Sequence, residues 1–212
     1  MNKNNQAAQV IVFDLGGVLI DWSPYYLYCD KLGLDRQVVE LFLKEVDFPA
    51  WNMEQDRGRS FAESTRELSA RFPQYRELIY AYDACYLDSI RGSVQPVVDI
   101  LGKLKSEGYL LYVLSNWPSE KLNLIRPQYP FFEWFDGLVI SGDVGQVKPG
   151  QAIFELLLQR VGHPAEACLF IDDHGPNINT ARAMGFQTIQ FQSAQQLEAE
   201  LQHMGILDHE NR

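Results

Sequence analysis

The chain has 212 residues, of which 46% are hydrophobic and 22% charged, and its formal net charge is −10 at pH 7. This balance is typical of a folded domain. The acidity disfavours a nucleic-acid partner, which usually requires a basic face, and an anionic substrate would need a local cationic site. The polar N-terminus lacks the apolar core of a signal peptide, and no apolar run approaches the ~20 residues that span a bilayer. We therefore expect a cytoplasmic protein with no membrane partner, whose three distant cysteines are free thiols.

Short apolar runs that recur along the chain predict the buried strands of a parallel sheet. They cover residues 10–14, 109–114, 137–141, 167–172 and 187–191. Helical patterns occur near residues 94–107, 119–127, 149–162, 176–184 and 193–204. Strands that alternate with helices indicate βαβ crossovers, so the predicted fold class is α/β, a Rossmann-like parallel sheet with helices on both faces.

A second region interrupts this alternation, because the strand signal disappears between residues 22 and 91. This region reads as several helices, and one of them begins with a capping box formed by Ser60 and Glu63. We predict a core of residues 1–21 and 92–212 and a helical cap of residues 22–91. An insert after the first strand falls at the C-terminal edge of the sheet, where open α/β sheets bind ligands, so it can act as a lid.

The first apolar run ends in Asp14, which Gly16 and Gly17 follow closely. A carboxylate at the tip of a buried strand suits a nucleophile that a substrate must approach closely. The two glycines let the backbone turn sharply and expose amides and carbonyls. An ordinary strand-to-loop turn with an Asp cap explains this cluster equally well.

Two further clusters offer groups that can bind phosphate. Ser115 and Asn116 follow the 109–114 run, where they can hydrogen-bond phosphate oxygens or cap the next helix. Lys148 precedes Pro149, a residue that suits the first turn of a helix. Lys148 would then project beside the helix N-terminus and neutralise both Asp14 and a phosphate, unless it is an ordinary solvated side chain.

Two adjacent acids, Asp172 and Asp173, form the fourth cluster at the end of the 167–172 run. Such a pair is costly when it is half-buried without a cation, because the two charges repel each other. Carboxylate oxygens beside a phosphate suit Mg²⁺. The alternative is that the two acids cap the helix that begins near Pro176.

With these four clusters the sequence resembles the haloacid dehalogenase (HAD) superfamily, most of whose members are phosphatases. It looks closest to the small-molecule phosphatases whose first motif reads D-L-G-[GN]-V, such as the glucose-1-phosphate phosphatase type. Residues 170–178 are also similar to the fourth motif of the phosphatase domain of soluble epoxide hydrolase. The resemblance covers nearly the whole chain. It implies a HAD fold with an inserted α-helical cap and a Mg²⁺-dependent phosphatase acting on a small phosphorylated metabolite, sugar phosphates included.

The resemblance also implies roles for individual residues in catalysis and substrate binding. Asp14 would be the nucleophile that forms an aspartyl-phosphate, and Lys148 would stabilise the charge on Asp14 and on the phosphoryl oxygens. Ser115, Asn116 and Gly17 would bind the transferring phosphoryl group. Positioning and neutralisation of spread negative charge are what phosphoryl transfer requires.

The metal site that the resemblance implies combines side-chain and backbone oxygens. Asp173 would be the main acidic ligand of Mg²⁺, together with Asp14 and the backbone carbonyl of Gly16. Asp172 would ligate the metal directly or through water, and Asn177 would orient the loop.

One position departs from the usual pattern of these phosphatases, which carry a second Asp, the general acid, two residues after the nucleophile. Here that position is Gly16, and general acid–base catalysis is worth roughly 10²–10⁴-fold in rate. Three interpretations stay open. The protein is a phosphatase in which water, a cap residue or His174 supplies the proton; it is a 2-haloacid dehalogenase-type hydrolase, since halide leaves without a proton; or it is a catalytically weak binding or regulatory protein. The acids Asp172 and Asp173 count against dehalogenation.

The cap would close over the leaving group and so choose the substrate. The aromatic side chains of this region suit a pocket wall, the packing of the cap itself or a homodimer interface. The two arginines that flank its glycine turn suit substrate binding or plain solvation. The candidate residues are Trp22, Tyr25, Trp51, Asn52, Arg57 and Arg59, with Trp117 at the pocket mouth.

Overall fold

The computed structural model describes residues 8–208. In chain order the strands are β1 (Val10–Phe13), β2 (Ile20–Trp22), β3 (Ile90–Ser93), β4 (Leu110–Ser115), β5 (Gly137–Ile140), β6 (Cys168–Asp172) and β7 (Gln187–Gln190). The central sheet is parallel and has the order β5-β4-β1-β6-β7. Its strands confirm the apolar runs read from the sequence as buried strands, and with them the α/β, Rossmann-like fold class.

The helices cover both faces of this sheet and make up most of the insert. They are α1 (Arg36–Glu45), α2 (Phe48–Asp56), α3 (Phe61–Arg71), α4 (Arg76–Ala84), α5 (Gln95–Ser106), α6 (Ser119–Ile125), α7 (Ser141–Val144), α8 (Gln151–Val161), α9 (Gly175–Ala183) and α10 (Ala194–His203). A π-helical turn spans Tyr26–Lys31, and 3-10 turns span Pro73–Tyr75, Tyr86–Ser89, Arg126–Gln128, Pro130–Trp134 and Ala165–Ala167. The core helices lie where the sequence patterns placed them, and the Ser60 hydroxyl caps α3 by accepting a hydrogen bond from the Glu63 N–H.

The centre of the sheet explains where the acidic residues collect. All four residues of β1 are fully buried, because β1 lies between β4 and β6 and helices cover both faces. Phe13 pairs with Val113 on β4 and with Ile171 on β6. The C-terminal ends of the three parallel strands therefore meet at one edge, and the polar residues that end them lie side by side.

The insert leaves and rejoins the core through a short antiparallel ribbon of β2 and β3, in which Ile20 pairs with Ser93 and Asp21 with Gly92. The sequence did not predict this ribbon, because its two strands are only three and four residues long and lie about 70 residues apart. The ribbon straddles both expected boundaries of the cap, and the boundaries at 22 and 91 stay a prediction.

Two contacts hold the insert against the core. The Lys121 ammonium group on α6 donates hydrogen bonds to the Asp83 carboxylate (2.5 Å) and to the Asp83 backbone carbonyl (2.9 Å) at the end of α4, and it lies 4.2 Å from the centre of the Phe61 ring. Gly58 approaches Gly142 so closely that a Cβ on Gly58 would lie 2.9 Å from the Gly142 carbonyl oxygen. The insert is thus closed over the strand ends.

The structure bears on two predictions made from the sequence, one on the cysteines and one on membrane-spanning segments. Cys29, Cys85 and Cys168 are free thiols. Within residues 8–208, every helix is too short or too polar to cross a bilayer.

Candidate active site

A buried lysine forms the centre of the charged cluster at the sheet edge. Lys148 is 1% exposed, and its Nζ lies 2.9 Å from Asp14 Oδ1 and 2.6 Å from Asp172 Oδ2. Burial lowers the pKa of Lys148, but the charges of Asp14 and Asp172 more than reverse this effect, so the group stays cationic at neutral pH. The alternative that Lys148 is an ordinary solvated surface side chain is therefore wrong.

Asp14 directly follows β1 and faces the cavity at the sheet edge. Its backbone N–H donates to the Ile171 carbonyl, continuing the sheet, and its Oδ1 accepts a hydrogen bond of 2.7 Å from the Leu15 N–H. Burial raises the pKa of the Asp14 carboxyl, and the Lys148 ammonium group opposes this shift. The backbone and Lys148 thus fix the orientation of the carboxylate.

The two acids at the end of β6 have different environments. Asp172 is fully buried; besides Lys148 it accepts hydrogen bonds from the His174 N–H (2.8 Å) and from the Asn177 side-chain amide (3.0 Å to each oxygen). Asp173 is exposed at the rim, where desolvation and the charge of Asp172 raise the pKa of its carboxyl. Asp172 is therefore a positioning group for Lys148, while Asp173 is accessible to a ligand.

Gly17 explains why Asp173 can come so close to the first loop. The residue has a φ of +75°, which favours glycine, and a Cβ built on it would lie only 2.5 Å from Asp173 Oδ2. The absence of a side chain at residue 17 therefore lets the Asp173 carboxylate lie against the loop that follows Asp14.

The donor set at this edge fits a hard divalent cation. Asp14, Asp172 and Asp173 each place one carboxylate oxygen within 4.8 Å of the others. Three carboxylates facing the single cation Lys148 leave an excess of two negative charges, which a bound divalent ion would balance. Because Lys148, Asn177 and the His174 N–H already occupy the Asp172 oxygens, Asp14 and Asp173 have the more available lone pairs.

The two polar residues at the end of β4, Ser115 and Asn116, have different surroundings. Ser115 is buried and near enough to Asp14 to lower the pKa of that carboxyl, but its hydroxyl makes no hydrogen bond of regular geometry within residues 8–208. Asn116 lines the cavity, but its amide donates to the Lys148 carbonyl (3.0 Å) and accepts from the Lys148 N–H (2.8 Å). The Asn116 side chain thus positions Lys148, and its contact with phosphate stays a prediction.

The helix caps differ from the expectations read from the sequence. Helix α6 has Pro118 as its N-cap, so neither Ser115 nor Asn116 caps it. Helix α8 begins at Gln151 after Gly150, so Pro149 lies outside its first turn, and the Lys148–Pro149 peptide bond is cis. The N-cap of α9 is His174, and neither Asp172 nor Asp173 occupies that position.

A cavity of about 320 Å³ opens between the sheet edge and the insert. Both regions contribute to its wall: Asp14, Gly16, Gly17, Asn116, Trp117, Pro118 and Asp173 from the core, and Trp22, Asn52, Asp56 and Tyr86 from the ribbon and the insert. Trp22, Asn52 and Trp117 thus lie where the sequence suggested.

The other candidates from the insert lie outside this wall. Arg59 pairs with Glu54 and Glu67 on the surface. Trp51 is buried in the insert's aromatic packing, 5.4 Å from the Tyr82 ring, and Arg57 is exposed. Tyr25 lines a neighbouring groove.

Asp56, the last residue of α2, is a cavity residue that the sequence did not reveal. It is 5% exposed, and its Oδ2 accepts a hydrogen bond of 3.2 Å from the Asn52 amide. Burial raises the pKa of Asp56 to about 7, and the charge of Asp14 adds to this shift. No strand end or glycine pair marks it in the sequence; only the folding of the insert brings it to the site.

The fold and this site together define a Rossmann-like α/β protein with a strand-end aspartate as its candidate nucleophile. The chain belongs to the haloacid dehalogenase-like hydrolases, whose family model matches residues 8–185.

Relatives within this family carry out different reactions. The chain is 25% identical to a sesquiterpene phosphatase of Aspergillus oryzae over 82% of this chain and 85% of the relative. It is 27% identical to an (S)-2-haloacid dehalogenase of a Pseudomonas strain over 84% and 80%. A HAD family enzyme of Bacteroides thetaiotaomicron, solved in complex with magnesium and inorganic phosphate, has the same fold, with a TM-score of 0.68, 22% identity and coverage of 88% and 95%.

Proposed function

We propose that this hydrolase is a Mg²⁺-dependent phosphatase that cleaves a small phosphate monoester through an aspartyl-phosphate on Asp14. The observation that carries the proposal is the contact of Asp14 with buried Lys148, beside the two further carboxylates of Asp172 and Asp173 at the same edge of the sheet. Residues 22–91 would form the cap that encloses the substrate.

The residues at the sheet edge would perform two successive displacements. In the first, an Asp14 carboxylate oxygen attacks phosphorus and the ester P–O bond breaks, so the alcohol leaves. In the second, water attacks the phosphorus of the aspartyl-phosphate and releases inorganic phosphate and the Asp14 carboxylate. Division of one difficult displacement into two is the advantage of covalent catalysis.

Cationic and hydrogen-bonding groups would hold the phosphoryl oxygens during both steps. The Lys148 ammonium group and the Ser115 hydroxyl lie beside Asp14 and can donate to these oxygens. The Asn116 side chain acts indirectly, because it holds the backbone of Lys148 from both sides. Such preorganised donors stabilise charge that spreads in the transition state.

The residues that would hold Mg²⁺ are Asp14, Asp173 and the backbone carbonyl of Gly16, with Asp172 behind them. When bound, the ion neutralises negative charge on the transferring phosphoryl group. This assignment rests on the excess of two negative charges in the cluster and on the hard oxygen donors that compose it.

A 2-haloacid dehalogenase is the second candidate, because one relative has that activity and Gly16 offers no proton. A halide leaves without a proton, so the missing acid is no objection there. Dehalogenation gives no role to the second and third carboxylates, however, whose charge is costly without a cation. The carboxylate cluster therefore favours the phosphatase.

The test is hydrolysis of p-nitrophenyl phosphate with and without Mg²⁺, followed by the Asp14→Asn variant. We expect turnover that requires Mg²⁺ and falls by at least about 10³-fold in the variant. Asp99→Asn, which alters an exposed acid on α5, is the matched control and should retain wild-type turnover. Release of halide from 2-chloropropionate in place of phosphate release, or no turnover of either compound by folded protein, would overturn the proposal.

A further inference from the structure

The position that would carry the usual proton donor is a glycine that faces the Trp117 ring. The Trp117 indole occupies the space in front of Gly16, since a Cβ on Gly16 would lie 3.4 Å from Trp117 Cζ3. An alkoxide is a poor leaving group and needs a proton as the P–O bond breaks. For a substrate of that kind, another group in the cavity must supply the proton.

Few of the groups near the cavity can act as this donor. Asp14 and Asp173 would serve as nucleophile and metal ligand. Burial raises the pKa of Tyr86 well above its ordinary value, which makes its phenol a weak acid. His174 is exposed and lies outside the cavity wall. Asp56 is the remaining carboxyl group in that wall.

We propose that Asp56 of the insert is the general acid that protonates the leaving group, an inference that rests on the proposed phosphatase function. Its place in the wall supports this role. Asp56 lines the catalytic cavity and also an adjoining apolar groove, so it lies at the junction between the phosphoryl site and the space beyond. The bridging oxygen of a bound ester would lie at this junction.

Hydrogen bonds orient the Asp56 carboxyl for proton donation. The Tyr82 hydroxyl donates to Asn52 Oδ1 (2.7 Å), which fixes the Asn52 amide so that its NH₂ group faces Asp56. That NH₂ group donates to Asp56 Oδ2 (3.2 Å). An oxygen that accepts a hydrogen bond is the less favoured site for the proton, so the proton resides on Oδ1.

The charges around Asp56 allow it to change protonation state during turnover. Asp14 and Lys148 influence it from the sheet edge, and Tyr82, Tyr86 and Asn52 surround it in the insert. Burial raises the pKa of Asp56 to about 7, Asp14 adds to this, and Lys148 and the Asn52 amide oppose it. Near neutral pH both the acid and its carboxylate are therefore populated.

The proton balance closes over one turnover. As Asp14 forms its bond to phosphorus and the ester P–O bond breaks, the Asp56 carboxylic acid gives its proton to the ester oxygen, and a neutral alcohol leaves. Water then attacks the aspartyl-phosphate, its protons stay on the released phosphate, and the Asp56 carboxylate takes up a proton from solvent. Inorganic phosphate and the Asp14 carboxylate are released, and Asp56 is again an acid.

The test compares leaving groups in the Asp56→Asn variant. We expect kcat for an alkyl phosphate to fall by about 10²–10⁴-fold, and kcat for p-nitrophenyl phosphate to fall by less than about threefold, because nitrophenolate leaves without a proton. The variant should also lose the alkaline limb of the kcat–pH profile for the alkyl phosphate. Asp88→Asn, which alters a more exposed acid of the insert, is the control that should change neither substrate.

A folding measurement separates the chemical role from a structural one. Because burial raises the pKa of Asp56, its ionisation weakens the wild-type fold as the pH rises from about 4 through 7. In chelator, the urea midpoint of Asp56→Asn should therefore fall less between pH 5 and pH 8 than that of the wild type. Equal losses for both substrates, or no loss for the alkyl ester, would overturn the role of Asp56. If the phosphatase proposal itself is wrong, the wild-type protein will hydrolyse neither phosphate ester.

The groove beside the catalytic cavity carries a second inference. It has a volume of about 600 Å³ and shares Trp22, Asn52 and Asp56 with the cavity wall. Its remaining lining is mainly apolar and includes Tyr25, Leu43, Phe48, Pro49 and Met53. An ester held at Asp14 would extend its alcohol portion past Asp56 into this groove.

We infer that the groove binds the leaving group and that this group is an apolar alcohol. Burial of apolar surface is worth about 25 cal/mol per Å², whereas the hydroxyl groups of a polyol would lose water and find few partners there. The charged residues Glu40 and Lys44 belong to the wall contributed by α1, and carbon-rich side chains predominate in the rest of the lining.

The test is the dependence of kcat/KM on the alcohol. In the wild type we expect kcat/KM to rise at least tenfold from ethyl to decyl phosphate. We also expect kcat/KM for decyl phosphate to be higher than that for glucose 6-phosphate. Met53→Asp should remove this gain, so that ethyl and decyl phosphate have similar kcat/KM values in the variant. Leu41→Asp, on the exposed face of α1, is the control. No dependence on chain length, or a preference for the sugar phosphate, would overturn the inference.

Discussion

The sheet edge and the insert build their halves of the cavity by different means. At the sheet edge, strand pairing places Asp14, Ser115 and Asp172, and buried contacts to Lys148 hold both acids. In the insert, the wall depends on aromatic packing around Tyr82 and on the single oriented acid Asp56. The proposed phosphoryl chemistry is therefore tied to the fold, whereas the proposed leaving-group chemistry depends on side chains that can change without altering the sheet.

Removal of the buried cation is the largest perturbation available to the sheet edge. Lys148→Met keeps the length of the side chain but leaves Asp14 and Asp172 without their partner. We expect turnover of p-nitrophenyl phosphate to fall by at least about 10³-fold. We also expect the free energy of unfolding to fall by about 3–5 kcal/mol at pH 8, because a buried charge loses its pair.

The pH dependence of this loss reports its cause. Without Lys148, burial raises the pKa of Asp14 further above its unfolded value, so stability is present at low pH and lost as the pH rises. Urea unfolding in chelator should therefore show a smaller deficit at pH 5 than at pH 8. A deficit that is equal at both pH values would show that lost packing, and not charge, dominates.

A smaller effect on activity is expected from the close approach of Gly17 to Asp173. Gly17→Ala places a methyl group 2.5 Å from Asp173 Oδ2 at a φ of +75°, so the carboxylate must move. We expect the Mg²⁺ concentration for half-maximal activity to rise at least about tenfold. Gly162→Ala is the matched control, because Gly162 has a similar φ of +71° but no atom within 4 Å of an added Cβ. Equal responses of the two variants to Mg²⁺ would argue against Asp173 as a ligand.

The smallest expected effect concerns the contact between insert and core. Lys121→Met removes the hydrogen bonds to Asp83, and we expect a loss of about 1–2 kcal/mol in the free energy of unfolding. KM for an alkyl phosphate should rise more than KM for p-nitrophenyl phosphate, because the groove wall loosens. Lys105→Met, which breaks the more exposed pair with Asp136, is the control and should cost less than about 1 kcal/mol. If the two variants behave alike, the insert does not depend on Lys121.

The sequence predicted the parts of the site that local patterns encode. Each buried strand shows as an apolar run, and Asp14, Ser115 and Asp172 stand at the ends of such runs, so parallel pairing alone brings them to one edge. The family resemblance extended this to Lys148, which precedes a helix and not a strand. The structure places its ammonium group between two of these acids.

The parts that the sequence did not predict depend on distant side chains. The Asn116 amide binds the backbone of Lys148, 32 residues away, and no spacing in the sequence distinguishes this contact from a contact with phosphate. Asp56 reaches the cavity only because the helices of the insert fold back over the strand ends. The β2–β3 ribbon was missed because its strands are too short to show a period.

The Trp117 indole in front of Gly16 also has an evolutionary consequence. A Cβ added at residue 16 would touch the ring at 3.4 Å, so an added carboxyl group would have to turn away from the indole or displace it. Residues 16 and 117 are therefore coupled, and loss of Trp117 alone would leave a void. If Asp56 supplies the proton, selection for a new leaving group would act on the insert and leave the loop after Asp14 unchanged.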